Sequence, residues 1–458
     1  KWRNDWGPDT NQLNQVAAKL DELEHRAHQV VEDIFKADGD ALPQSHGEVL
    51  TTPPANGTPS QNAAWWNSLS PVRQQILLHD HPDWLGNMDG LPAATRSAAN
   101  MARLPGERAQ LQRQLDDLTK HLDDPVIGEY DVLVHSDEIK AVEAKLHSLD
   151  AIQATMAQGD RQLLFLDTSK RRVEAAVAVG NVDTAQNVAV FTPGLTTTVD
   201  GSLVGYDRAL YDLKRESDRL DKLYGGGSTA TVTWIGYQAP QWDLGIVDPS
   251  QSVAFPEAAE VGGENLAKFY NGIGASHAWS NSPLHLTALG HSYGSTTTGF
   301  ALGHDTPVND AILFGSPGQG AQHLNVPTDH LYDELDEGDD LVPGLYGTLG
   351  PSPYYSSDAI PNYHLLSTDA STTTLGQLNA THGHSGYLHD QSTSLYNMAA
   401  ITTGHPDLVM NYQPPPSSKS PDVHTTPAGV PPSRPMPPPP IMASSPGQDP
   451  TPPPAPPR

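Results

Sequence analysis

Leu284-His285-Leu286-Thr287-Ala288-Leu289 runs directly into Gly290-His291-Ser292-Tyr293-Gly294, and small residues follow from Ser295. The apolar run predicts a strand and the small residues a helix, so the pentapeptide sits at a sharp strand-to-helix turn. In such a turn the flanking glycines let the backbone pass closely while the serine hydroxyl stands exposed, the arrangement of a nucleophile elbow. Alone, the pattern Gly-x-Ser-x-Gly is a weak signal, because glycine and serine are common turn residues. Its meaning depends on what surrounds it.

Outward from the elbow, short β-branched runs separated by turn residues predict eight strands: Leu163–Leu166, Val173–Val179, Asn187–Phe191, Thr229–Ile235, His285–Leu289, Asp310–Phe314, Thr328–Asp333 and Tyr363–Leu366. Ser169-Lys170-Arg171-Arg172 joins the first two as a hairpin. Tyr206–Tyr224, Glu257–Ile273 and Ser295–Leu302 are long enough to be crossover helices. A hairpin followed by alternating strands and helices predicts an α/β fold with a mostly parallel, doubly wound sheet, whose site lies at the carboxyl ends of the strands.

Ser292 then follows the fifth strand, the nucleophile position of an α/β-hydrolase, in which an acid and a histidine follow in chain order. The loop after the seventh strand holds Asp333, Glu334, Asp336, Glu337, Asp339 and Asp340. Asp339 is preferred because it follows a glycine in a turn, with Asp340 and Asp336 as alternatives. After the eighth strand, Thr381-His382-Gly383-His384-Ser385-Gly386-Tyr387-Leu388-His389 offers three histidines. His384 is preferred, with His382 and His389 as alternatives.

These residue types suit acyl chemistry. A serine hydroxyl needs an imidazole to take its proton, and the acid orients that imidazole and stabilises its charged form. Backbone N–H groups stabilise the oxyanion; the expected donors are Tyr293, after the nucleophile, and Leu195, in Thr192-Pro193-Gly194-Leu195-Thr196-Thr197-Thr198 after the third strand. All four parts are protein groups, so no cofactor is expected. The histidine cluster with Asp390 fits no metal-ligand spacing, and the acidic loop lacks calcium-loop register.

The flanks differ in composition. Leu13, Val16, Ala17, Leu20, Leu23, Ala27, Val30 and Ile34 recur at helical spacing, as do Leu111, Leu115, Leu118 and Leu122, and Ile139, Val142, Leu146, Leu149 and Ile152. Residues 1–160 are therefore expected to be a helical N-terminal region and candidate cap, with a linker near 50–60; residues 161–410 form the α/β-hydrolase domain. Trp65-Trp66 is expected to be core packing. Residues 411–458 are dominated by proline, which lacks a backbone donor, and are expected to be a disordered tail and a candidate site for a protein partner.

Lys+Arg 26 against Asp+Glu 54 gives a net charge of −28, which repels nucleic acid phosphates and anionic lipid surfaces. There is no cysteine, so thiol catalysis and thiolate metal sites are excluded. No apolar stretch reaches the roughly 18 to 20 residues needed to span a bilayer. Nothing in these residues assigns a compartment, whether cytoplasm or cell envelope.

The chain also resembles an actinobacterial α/β-hydrolase family, abundant in mycobacteria and first catalogued as a domain of unknown function. The matching segments are Leu163-Leu164-Phe165 with Ala175–Gly180, Asn187–Gly194, the elbow, Gly315-Ser316-Pro317-Gly318 and His384-Ser385-Gly386-Tyr387. Upstream they are Trp65–Ser70, Pro82, Leu85-Gly86-Asn87, Asp89-Gly90-Leu91-Pro92, Arg96 and Asn100. The resemblance implies a serine-hydrolase core with Ser292, Asp339 and His384 in catalytic roles; it supplies no substrate. A lipid or small acyl ester is the expectation from fold class. Alternatives are an interaction or secretion-associated protein using the N-terminal helix and the tail, and an acyltransferase or peptidase on the same scaffold.

Overall fold

Burial on both faces is what selects the strands. In the computed structural model, which describes residues 52–122, 129–241, 256–336, 338–339, 341–342, 347–352 and 363–413, β1 (Arg161–Asp167), β2 (Glu174–Val179), β3 (Asn187–Thr192), β4 (Thr229–Ile235), β5 (His285–His291), β6 (Asp310–Phe314), β7 (Leu331–Glu334) and β8 (His364–Leu366) form one sheet in the order β1-β2-β4-β3-β5-β6-β7-β8. β2 pairs antiparallel with β1 and with β4, and every later pairing is parallel. β3 and β5 run side by side at the centre, with Phe191 opposite Leu289 and Thr192 opposite Gly290.

Alternation divides the strand side chains between two cores. Val188, Val190, Val232, Trp234, Leu286 and Ala288 pack under Leu266, Phe269, Tyr270 and Ile273 of α7 (Glu257–Ser280) and Ala301 and Leu302 of α8 (Tyr293–Leu302). Ala189, Phe191, Leu289, Ile312 and Phe314 face the other way, toward Leu210, Leu213 and Leu220 of α6 (Val199–Tyr224) and Met398, Ala399 and Ile401 of α9 (Thr393–Thr402). The helices of the parallel units thus cover both faces.

Helices precede the sheet: α1 (Pro59–Ser68), α2 (Pro71–Asp80), α3 (Pro82–Leu85), α4 (Ala93–Leu122) and α5 (Glu129–Met156). Leu104, Leu111, Val142, Leu146, Leu149 and Ile152 of α4 and α5 pack against Leu163, Leu166, Ala175 and Val177 of the hairpin. Trp65 and Trp66 are buried with Leu69, Leu77, Leu85 and Leu91 in a separate cluster. Side chains pair with the free edge of β1: Asn87 donates to the Leu166 carbonyl at 2.8 Å and accepts from its N–H at 2.9 Å, Asn100 donates to the Leu163 carbonyl, and Ser97 accepts from the Leu163 N–H. They occupy the edge hydrogen-bonding groups that would otherwise recruit another strand.

Several boundaries depart from the sequence reading, among them the end of α7, which runs on from the predicted Ile273 to Ser280. Thr328–His330 is a turn of 3-10 helix and β7 begins at Leu331; the His330 ring turns onto the Asp310 carboxylate at 2.8 Å. α6 begins at Val199, capped by Thr198, seven residues before the predicted Tyr206. The region near 50–60 contains the start of α1, where Thr58 and Gln61 form a capping box. A short hairpin, β9 (Ser371–Thr373) with β10 (Gly376–Leu378), was not foreseen. The helical stripe at residues 10–35 and the tail from 414 lie outside the described residues.

Candidate active site

The elbow forms where β5 gives way to α8. Ser292 has φ 55 and ψ −132, a backbone conformation that non-glycine residues seldom adopt. Crowding explains the glycines on either side. A Cβ on Gly294 would lie 2.2 Å from the Thr192 carbonyl oxygen, and one on Gly290 would lie 2.7 Å from the Ser295 Cα. Ser292 also stands at the N-terminus of α8, where the helix dipole favours developing negative charge.

Loops after β5, β7 and β10 bring Ser292, Asp339 and His384 together. Ser292 Oγ lies 2.8 Å from His384 Nε2, and His384 Nδ1 lies 2.8 Å from Asp339 Oδ2. A carboxylate can only accept, so Nδ1 carries the proton and Nε2 is left to accept from the serine hydroxyl. The Asp339 side chain is fully buried. Burial pushes its carboxyl up, but the hydrogen bond and charge of His384 and the N–H groups of Val342 and Leu341 outweigh this and hold it below the usual aspartate value. It is therefore ionised where the imidazole needs it.

The alternatives fall elsewhere. Asp336 Oδ2 accepts the Gly383 N–H at 2.6 Å and its carbonyl accepts the Asp339 N–H at 3.0 Å, so this carboxylate ties the acid loop to the histidine loop. His382 and His389 are both exposed, and Asp340 lies outside the described residues.

Around this chain of hydrogen bonds are groups that the sequence reading did not single out. Tyr387 Oη donates to Asp339 Oδ2 at 3.3 Å and accepts the Asp336 N–H at 3.0 Å. His291 donates from Nε2 to the His384 carbonyl at 2.7 Å; burial, and then the charge of neighbouring His384, hold His291 down to about 4, so it stays neutral and keeps this bond. Gly315, at φ 52, sits beneath the pair: a Cβ there would lie 3.2 Å from Tyr387, 3.3 Å from Asp339 Oδ2 and 3.3 Å from His384 Cε1. The elbow's histidine and the Gly315-Ser316-Pro317-Gly318 segment were the only signals available for the last two.

The loop carrying Leu195 packs onto the elbow, since a Cβ on Gly194 would lie 2.7 Å from the Ser292 Cβ and 3.0 Å from the Tyr293 nitrogen. Tyr237 Oη donates to the Pro193 carbonyl at 2.7 Å, and the Thr196 N–H donates to the Pro240 carbonyl at 2.8 Å. The Tyr237 ring stacks on Tyr293, whose hydroxyl accepts the Ala259 N–H from α7. Both segments expected to supply oxyanion donors are thus fixed to one aromatic pair.

Residues 168–344 match the family profile described as "Alpha/beta hydrolase". Over 400 residues, 78% of the chain, it is 30% identical to the uncharacterized protein Rv2079 of Mycobacterium tuberculosis, and spans 57% of that protein's length. The uncharacterized protein Mb0988c of Mycobacterium bovis is 33% identical over 220 residues, 46% of the chain and 79% of that protein. Among solved structures, a cold-adapted esterase from an Arctic intertidal metagenomic library overlaps 55% of the chain and 95% of its own at 13% identity and a TM-score of 0.27, an overlap too loose to bear on activity. On the sheet order, the profile and the mycobacterial relatives, the chain belongs to an actinobacterial α/β-hydrolase family.

Proposed function

We propose that the protein is a serine hydrolase that cleaves a carboxylic ester or related acyl bond through an acyl-enzyme on Ser292. The observation that carries this reading is the unbroken run of two 2.8 Å contacts from Ser292 Oγ through His384 to Asp339.

In the reaction, Ser292 Oγ attacks the substrate carbonyl as His384 Nε2 takes its proton, giving a tetrahedral intermediate. Asp339 holds the imidazolium. The N–H groups of Leu195, in the loop after β3, and of Tyr293, at the N-terminus of α8, receive the oxyanion. His384 then delivers its proton to the alkoxide as its bond to the carbonyl carbon breaks; the alcohol departs and the acyl group stays esterified to Ser292 Oγ. Water repeats the sequence with His384 as base, releasing the acid and regenerating the serine. His291 and Asp336 act by fixing the His384 loop, and Tyr387 by fixing Asp339.

Among the described residues no helix is long and apolar enough to cross a membrane. The interaction reading involves the leading helical stripe at residues 10–35 and the tail 411–458, of which only 411–413 are among the described residues, and rests on their composition alone.

A pre-steady-state assay with p-nitrophenyl acetate tests the proposal. The wild type releases a burst of one p-nitrophenol per chain, whereas Ser292→Ala shows no burst and loses turnover by about 10⁴-fold or more. Wild-type turnover in folded Ser292→Ala would overturn it.

A further inference from the structure

A groove of about 360 Å³ runs between α6 and the residues that follow His384, within the size range of small-molecule sites. Three of its lining segments adjoin the proposed machinery along the chain. Its α6 wall continues the loop that holds Leu195, its opposite wall is the Ser385–His389 segment, and His291, which lines it, immediately precedes Ser292. Phe191, Phe314 and Leu388 give it apolar lining. Among the described residues no Asp, Glu, Lys or Arg lines it, so no carboxylate, ammonium or guanidinium there would pair with a charged substituent.

The α6 wall is open because of its residues. Gly201, Gly205 and Ala209 recur every four positions and so share one helix face. A Cβ on Gly205 would find nothing within 4 Å. Glycine inside a helix lowers its stability, and here two glycines in succession leave a channel where larger side chains would fill it.

We infer that this groove takes an uncharged alkyl chain of the ester and that Gly205 sets the length accepted. The inference rests on Ser292 being the nucleophile. The chain can belong to the acyl group or to the alcohol; the lining chemistry is the same for both.

The test uses two substrate series, p-nitrophenyl esters from acetate to octanoate and alkyl acetates from methyl to octyl, on wild type, Gly205→Leu and Gly205→Ala. For the wild type, kcat/KM rises about fourfold per added methylene along one series, until the groove is full. The series that rises identifies the acyl or the alcohol side. Gly205→Leu, whose side chain leans toward the preceding turn, cuts kcat/KM for the longest substrates at least tenfold and leaves acetates within twofold. Gly205→Ala keeps the wild-type profile. Ala209→Leu, one turn further along, repeats the loss from an independent position and guards against a folding defect in the first variant. An unchanged length profile in both leucine variants, with Ser292 still labelled by a methyl fluorophosphonate, overturns the groove and leaves the nucleophile standing. Failure of that small probe to label wild-type Ser292 overturns the parent reading and the groove with it.

Discussion

Two aspartates three residues apart divide the work at the acid loop. Asp339 faces the imidazole, while Asp336 accepts the Gly383 N–H. Asp339→Asn leaves the geometry but turns the imidazole to the wrong tautomer, and kcat is expected to fall roughly 10³- to 10⁴-fold. Asp336→Asn keeps an oxygen for the Gly383 N–H, and its kcat is expected to stay within about tenfold of wild type. Comparable losses in the two variants, measured on p-nitrophenyl acetate, would contradict the division. The sequence favoured Asp339 because a glycine precedes it and an apolar pair follows, features of a tight turn; the turn exists, and its Leu341 and Val342 N–H groups bind Asp339 Oδ1. The roles of Gly315, Tyr237 and Tyr387 were not legible, because each depends on a contact across the sheet instead of on local spacing.

At the scale of elements, strands were easier to read than helix starts. Parallel strands buried on both faces appear as short runs of Val, Ala, Leu and Phe whatever their neighbours. The first turns of α6 are diluted by Gly201 and Gly205, which conceal the period until Tyr206; only Thr198 as a cap marked the true start. The β9–β10 hairpin is three residues a side with a single buried residue, Leu378, so it carries little apolar alternation. Upstream, the Leu85-Gly86-Asn87 and Asn100 matches gain a physical role in covering the β1 edge. Asn87→Leu removes both partners of Leu166 in a partly buried setting and is expected to destabilise the fold by about 2 kcal/mol. Urea denaturation measures this, and a loss below about 0.5 kcal/mol would show that the edge does not depend on Asn87.

Across the whole molecule, the sequence reading carried eight strands and the position of Ser292 after the fifth, but not the insertion of β4 between β2 and β3, which crossover packing decides. Nor could it find the fully buried Glu334 at the end of β7, bonded to Ser394 of α9. Burial raises Glu334 from the ordinary 4.5 to about 8. Between those values the folded protein holds a proton that the unfolded chain has released, so this group's contribution to stability falls as pH rises from about 4.5 to about 8. Glu334→Gln, still able to accept from Ser394, removes that slope. Its melting temperature relative to wild type is expected to climb by at least roughly 2–4 °C across the window; parallel melting curves would contradict the burial argument. The central claim, however, concerns one oxygen atom. Treating the folded full chain with a fluorophosphonate and mapping the adduct by peptide mass spectrometry tests it directly. One adduct per chain on Ser292, lost in His384→Ala, is the expected result; an unmodified Ser292, or an adduct elsewhere with Ser292 free, would contradict the account.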